Sequence, residues 1–277
     1  MRQAIFTTKN GTQINCTMWD DVKQPIAIVQ IIHDLDESVG QYNKFAKFLN
    51  RNGYIVMGNN YHDIDNTQTC NGADLFLTTV KNEIDFSRYI KEKYNAPLML
   101  FGHGYGGLIT KKIISESDLC ACGVSISGTK KYQPVAIALG RLIAFAGARI
   151  FGPMAPARAM EFWFPMRCQN GAVRTTYFPY MFYYSLFKNL MRQNECTDVK
   201  MPLLVIGDKR DLINLNKQFS MKLYRMLMTR DADNLTLIIY PDARRNLSAR
   251  TYNPQIWRDI LKFLNSVAHK CPQRPTV

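Results

Sequence analysis

Hydrophobic and polar positions change rhythm along this chain in a way that names its elements. Residues 4–8 and 14–18 are two short runs flanking Asn10-Gly11. That dipeptide favours a hairpin turn, because both central positions need positive φ. Beyond it, residues 26–32, 54–58, 97–101 and 123–126 are short, apolar and β-branched, as buried parallel strands are. Residues 42–52, 74–94 and 107–117 lie between or after them and read as helices. In the middle one Leu77, Val80, Ile84 and Tyr89 fall near helical spacing.

Strand-then-helix alternation over this length predicts a doubly wound, mostly parallel sheet, an α/β architecture. The alternation stops after Gly128 and resumes with a strand at 202–206, a helix at 215–228, a strand at 235–240 and a closing helix at 255–267. Residues 1–129 and 198–270 therefore form the expected core, 130–197 an aromatic-rich insertion, and 271–277, with Pro272 and Pro275, a frayed tail. No internal repeat or low-complexity segment interrupts this plan.

Composition narrows the class. The 277 residues carry 35 Lys and Arg against 22 Asp and Glu, a net charge of +13. The excess is diffuse, without the basic block of a nucleic-acid arm; an anionic membrane surface or acidic ligand is at least as plausible a partner, and general solubility is the plainer reading. Seven cysteines (Cys16, Cys70, Cys120, Cys122, Cys168, Cys196 and Cys271) lack the even count and spacing of a disulfide framework. Cys120 and Cys122 have no second pair to complete a zinc site and read as small buried residues entering a strand. No metal or cofactor is expected. Residues 1–10 carry no signal pattern, and the most apolar stretch, 135–151, is broken by Arg141 and Arg149. A cytoplasmic protein without a transmembrane segment is the expectation, with peripheral membrane contact left open.

One hexapeptide carries the chemistry. The strand at 97–101 runs into Gly102-His103-Gly104-Tyr105-Gly106-Gly107, and a helix follows. Glycines 102, 104 and 107 satisfy the dinucleotide fingerprint G-x-G-x-x-G. The acidic residue that should close the next strand is missing, since that strand ends Val124-Ser125-Ile126-Ser127-Gly128. The competing motif is the nucleophile elbow G-x-S-x-G, a strained strand-to-helix turn, with Gly104 at the serine's place.

Gly-His-Gly-Tyr-Gly-Gly resembles the Gly-His-Ser-x-Gly-Gly elbow of monoacylglycerol lipases and their lysophospholipase and serine-aminopeptidase-like relatives. Residues 30–35, Gln-Ile-Ile-His-Asp-Leu, resemble the His-Gly loop that supplies part of the oxyanion hole, and Glu37 to Tyr42 resemble the stretch after it. Residues 202–211 resemble the strand and loop of the triad acid, and residues 240–246, Tyr-Pro-Asp-Ala-Arg-Arg-Asn, the Tyr-Pro-Gly-Ala-Arg-His-Glu segment with the histidine. The resemblance implies an α/β-hydrolase fold whose insertion is a helical cap over an acyl pocket.

Carried over residue by residue, it implies a degenerate triad. Gly104 holds the nucleophile's position, Arg245 the base's and Asp211 the acid's, with Arg210 the neighbouring choice, and Asn246 replaces the glutamate. The loop reads His33-Asp34 where the family has His-Gly, and residues 60–65 have lost the usual Asp-His-Arg-Gly-His-Gly. Glycine has no side chain to attack with, and arginine, with a pKa above about 12, cannot act as a base at neutral pH. Loss of either member costs roughly a millionfold in the best-studied serine hydrolase. The oxyanion donors, the Leu35 and Tyr105 amides, need no particular side chain and are expected to survive. Ser125, Ser127 and His62 are the only substitutes worth weighing, and His103 is expected to pack behind the turn.

The insertion interleaves arginines with aromatics, and 180–187 is aromatic on nearly every face. That density fits either its own core or a ligand, membrane or dimer surface. The expectation is a non-catalytic homologue that binds a fatty-acyl or lysophospholipid ligand, or a protein partner, with Leu35, Tyr105, Arg245, Phe182 and Tyr183 at the ligand. The alternative is an active lipase or esterase of the monoacylglycerol lipase or lysophospholipase kind that uses non-standard residues. An Asp211–Arg245 ion pair is expected to satisfy the old acid.

Overall fold

The computed structural model describes residues 1–9, 11–35, 37–60, 74–126, 134–158, 160, 178–193, 201–208, 234–240 and 253–271. The chain divides into two compact units. Met1–Asn60, Asn82–Lys130 and Asp198–Val277 form the first, Tyr61–Lys81 and Lys131–Thr197 the second.

The first unit is built on an eight-stranded sheet. It opens with an antiparallel pair, β1 (Arg2–Thr7) and β2 (Gln13–Trp19), in register from Arg2↔Met18 to Thr7↔Gln13. The Thr8 amide donates to the Thr12 carbonyl at 2.9 Å, and Gly11 takes φ 83°. The connection is thus one residue longer than the two-residue turn Asn10-Gly11 suggests, with glycine at the position needing positive φ.

Six strands follow: β3 (Ala27–Ile32), β4 (Tyr54–Asn59), β5 (Leu98–His103), β6 (Cys122–Ile126), β7 (Leu203–Asp208) and β8 (Leu235–Tyr240). Their order is β1-β2-β4-β3-β5-β6-β7-β8. β2 meets β4 antiparallel, and every later pairing is parallel. The doubly wound, mostly parallel sheet expected from the alternation is present.

A short 3-10 turn (Val39–Tyr42) and helices α1 (Asn43–Arg51), α2 (Leu75–Lys93), α3 (Tyr105–Glu116), α4 (Pro134–Phe151), α5 (Tyr180–Gln193) and α6 (Pro254–Ala268) complete the described elements. α6 starts where Asn253 accepts hydrogen bonds from the Gln255 and Ile256 amides and Pro254 fills the first turn. The helix expected over 215–228 and all of the expected tail but Cys271 lie outside the described residues.

Core packing holds the strand ends in place. Val29, Ile31, Met99, Phe101, Val124 and Ile206 are buried with Phe45 of α1 and Trp257 of α6. Cys120 and Cys122 are buried free thiols, and burial pushes Cys120 up to about 12, which leaves it unreactive at neutral pH. A polar cluster on β3 and α2 interrupts this interior. Gln30 of β3 donates to the Glu83 carboxyl at 2.7 Å and accepts from Ser87 at 2.7 Å, and burial pushes Glu83 up to about 8.

The second unit rests on α4 against α5. Small residues on α4 admit aromatic rings: a Cβ at Gly140 would lie 2.8 Å from the Phe187 ring, and one at Gly147 2.2 Å from that of Tyr180. Asp74 ties the start of α2 to α5, accepting from Ser185 and, at 3.0 Å, from Asn189. Burial opposes its ionisation, but these bonds and that from the Leu77 amide outweigh it and hold the carboxyl below its ordinary range. Among the described residues no helix is long and apolar enough to cross a membrane.

Candidate functional site

The six-residue motif lies at the carboxyl end of β5. Gly102 pairs with Ile32 of β3 and Ser125 of β6, and the Gly104 amide donates to the Ile126 carbonyl at 2.9 Å. Gly104 then turns the chain with φ 53° and ψ −115°, and α3 begins at the next residue. L-residues rarely adopt that conformation, so the backbone is strained for any side chain. A Cβ on Gly106 would lie 1.9 Å from the Ile32 carbonyl oxygen, and one on Gly102 2.3 Å from that of Gly106. These glycines serve the close approach of α3 to the sheet. The geometry is that of an elbow, and a dinucleotide is not needed to explain it.

The loop after β3 meets this turn. Asp34 Oδ1 accepts the Leu35 amide at 2.9 Å and the Tyr105 amide at 2.8 Å. These are the two donors that the resemblance assigns to an oxyanion. A Cβ built on Gly104 would lie 2.1 Å from Asp34 Oδ2 and 2.4 Å from Oδ1. The Asp34 carboxylate therefore fills the space that a side chain at 104 would enter.

A second carboxylate fastens the loop. Glu37, its side chain 1% exposed, accepts from the Tyr42 hydroxyl, from the Asp34 amide at 3.1 Å, and stands 3.0 Å from His103 Nδ1. His103 thus packs behind the turn as the sequence suggests. His33 Nδ1 donates to the Asp34 carbonyl at 2.6 Å, and burial holds this imidazole below its ordinary pKa and neutral. The Ser125 hydroxyl is buried and donates to the Gly107 carbonyl at 3.2 Å. It offers no nucleophile to solvent.

Of the sequence-derived residues, the structure brings Gly104, Leu35 and Tyr105 together. Asp211, Arg245 and their expected ion pair, with Arg210, Asn246, Ser127 and His62, lie outside the described residues. Phe182 and Tyr183 sit in the second unit, 0% and 2% exposed, with ring centroids 5.6 Å apart and Phe178 4.5 Å from Phe182. They pack as that unit's interior. Sequence reasoning marked Asp34 only as the residue in place of the loop glycine and gave no role to it or to Glu37. The available signal was the replacement of the loop glycine by an acid, one residue before an amide expected to bind an anion. Among the described residues no cluster of His, Cys, Asp and Glu could hold a metal ion.

Comparison with known proteins places this geometry. A family model described as serine aminopeptidase, S33, matches residues 23–245. No curated protein sequence matches. Among solved structures, a lipase in its open form superposes with a TM-score of 0.76 at 16% identity, covering 96% of this chain and 99% of its own. A highly thermostable carboxyl esterase from Bacillus coagulans, in complex with glycerol, gives 0.75 at 13% identity, covering 96% and 98%. A soluble variant of monoglyceride lipase from Saccharomyces cerevisiae, with a substrate analogue, gives 0.65 at 15% identity, covering 100% and 96%.

Proposed function

Because this chain belongs to the serine aminopeptidase S33 family and has the α/β-hydrolase fold, we propose that it is a non-hydrolytic member that keeps the scaffold for binding. One observation carries this reading: the elbow's strained turn is intact, but Gly104 offers no hydroxyl at its apex. Acyl transfer through a covalent intermediate needs that oxygen. The purified protein should turn over neither p-nitrophenyl butyrate nor monoacylglycerol, and a fluorophosphonate probe should leave it unlabelled. Stoichiometric labelling at any serine would overturn the reading and restore an unorthodox lipase or esterase.

A face of the second unit supports the choice of what is bound. α4 buries Ile137 and Ala144, yet Val135, Leu139, Leu142, Phe145, Ile150 and Phe151 are each 45–77% exposed. Arg149 lies over the Phe145 ring at 5.5 Å. From Val135 to Gln193 the sequence holds seven Arg and Lys against the single acid Glu161. An apolar face among cations matches an anionic lipid layer, which takes hydrocarbon and charge together. Cosedimentation should occur with vesicles of phosphatidylserine and phosphatidylcholine, weaken with salt, and vanish with phosphatidylcholine alone. Absence of binding to both, or self-association in its place, would remove the lipid layer as occupant.

A further inference from the structure

The amide pair at the elbow is a site with an occupant that belongs to the chain. We propose that Asp34 is a built-in carboxylate ligand of the Leu35 and Tyr105 amides, closing a monocarboxylate site that opens only when Asp34 leaves it.

Three observations converge on that assignment. Asp34 Oδ1 takes both amides, at 2.9 and 2.8 Å, as a bound carboxylate oxygen would. Tyr105 is the first residue of α3, so the carboxylate also lies at the amino end of a 12-residue helix, where negative charge is favoured. Finally, the volume is available only because residue 104 is glycine: a Cβ there would lie 2.1–2.4 Å from the three carboxylate atoms. Gly104 and Asp34 therefore form one device. The missing side chain leaves room for the carboxylate, and the carboxylate satisfies the donors that an acyl oxygen or fatty-acid head group would otherwise use.

The loop is held for this task. Glu37 accepts the Asp34 amide at 3.1 Å and stands beside His103 of the elbow, while His33 donates to the Asp34 carbonyl. Both carboxylates are thus placed by neighbours on the loop and the turn, and Asp34 needs no external partner to stay closed.

The inference rests on the non-hydrolytic reading, and its test reads a different signal. Protein labelled with [15N]leucine and [15N]tyrosine is titrated with sodium butyrate at constant ionic strength, and the Leu35 and Tyr105 amide resonances are followed. In Asp34→Gly both should move saturably. In the wild type and in Asp34→Asn, whose side-chain oxygen accepts the same bonds, neither should. Butanol should move neither in any variant. Gly104→Ala gives an independent arm, since its Cβ expels Asp34, and both resonances should shift before any ligand is added. Equal butyrate shifts in wild type and Asp34→Gly would overturn the proposal. So would a folded Asp34→Gly that ignores butyrate, or a Gly104→Ala with unchanged resonances. Ester turnover by the wild type would instead break the non-hydrolytic reading alone.

Discussion

The elbow in the first unit and helix α4 in the second treat their exposed chemistry in opposite ways. At the elbow the described polar groups are answered from within: two amides by Asp34, the loop by Glu37, and close backbone approach by glycine. On α4, apolar side chains at helical spacing stand open while the opposite face packs on α5. On the proposed non-hydrolytic reading the elbow is self-contained, and among the described residues α4 of the second unit carries an exposed apolar face. Binding is to be sought where surface is left unsatisfied, since a satisfied polar network gains little from a newcomer.

The sharpest way to break this contrast is to disturb the elbow itself. Gly106→Ala puts a methyl group 1.9 Å from the Ile32 carbonyl oxygen and 2.7 Å from that of His33, both backbone atoms. The expected cost is about 3 kcal/mol, read from urea denaturation. A loss below about 1 kcal/mol would mean that α3 is not wedged against the sheet as described. On the other side, Leu142→Asp changes a side chain that is 62% exposed. It should weaken binding to anionic vesicles at least tenfold, about 1.4 kcal/mol, with a change in stability near zero. A large loss of stability with unchanged vesicle binding would reverse the roles assigned to the two regions.

A pH-dependent effect tests how private the first unit's polar interior is. Burial pushes the folded Glu83 carboxyl up to about 8, from an ordinary value of about 4.5. The folded state therefore keeps the proton where the unfolded chain has lost it. Stability linked to this group is full below about pH 4.5 and is lost as pH rises through about 8. Glu83→Gln should raise the thermal midpoint at pH 9 by several degrees and leave it nearly unchanged at pH 4.5. An equal shift at both values would mean the carboxyl is solvated.

Much of this was legible in the sequence, because strands buried on both faces read as continuous apolar runs and the elbow is a local motif. Gly104, Leu35 and Tyr105 could be named for the same reason: a backbone turn and two amides depend on position alone. Asp34 escaped because its role depends on a meeting with residues 71 positions away, and a loop acid ordinarily points to water. The second unit was harder still. The aromatics at 182 and 183 attract attention, yet Gly140 and Gly147 let their helix bury its rings, while the plainer residues of α4 carry the open face. Composition identifies apolar surface without saying which side of a helix pair will hold it.

The contact between residues 34 and 104 also couples two positions that would otherwise be counted separately. A serine entering at position 104 would bring its Cβ to 2.1 Å from the Asp34 carboxylate, so the acid would have to swing off the Leu35 and Tyr105 amides for a hydroxyl to share the turn. Any exchange of glycine for serine at this elbow is therefore also a rearrangement of the loop after β3. A variant made to restore a hydroxyl would report on both changes at once, and pairing it with Asp34→Gly separates the nucleophile from the displaced acid.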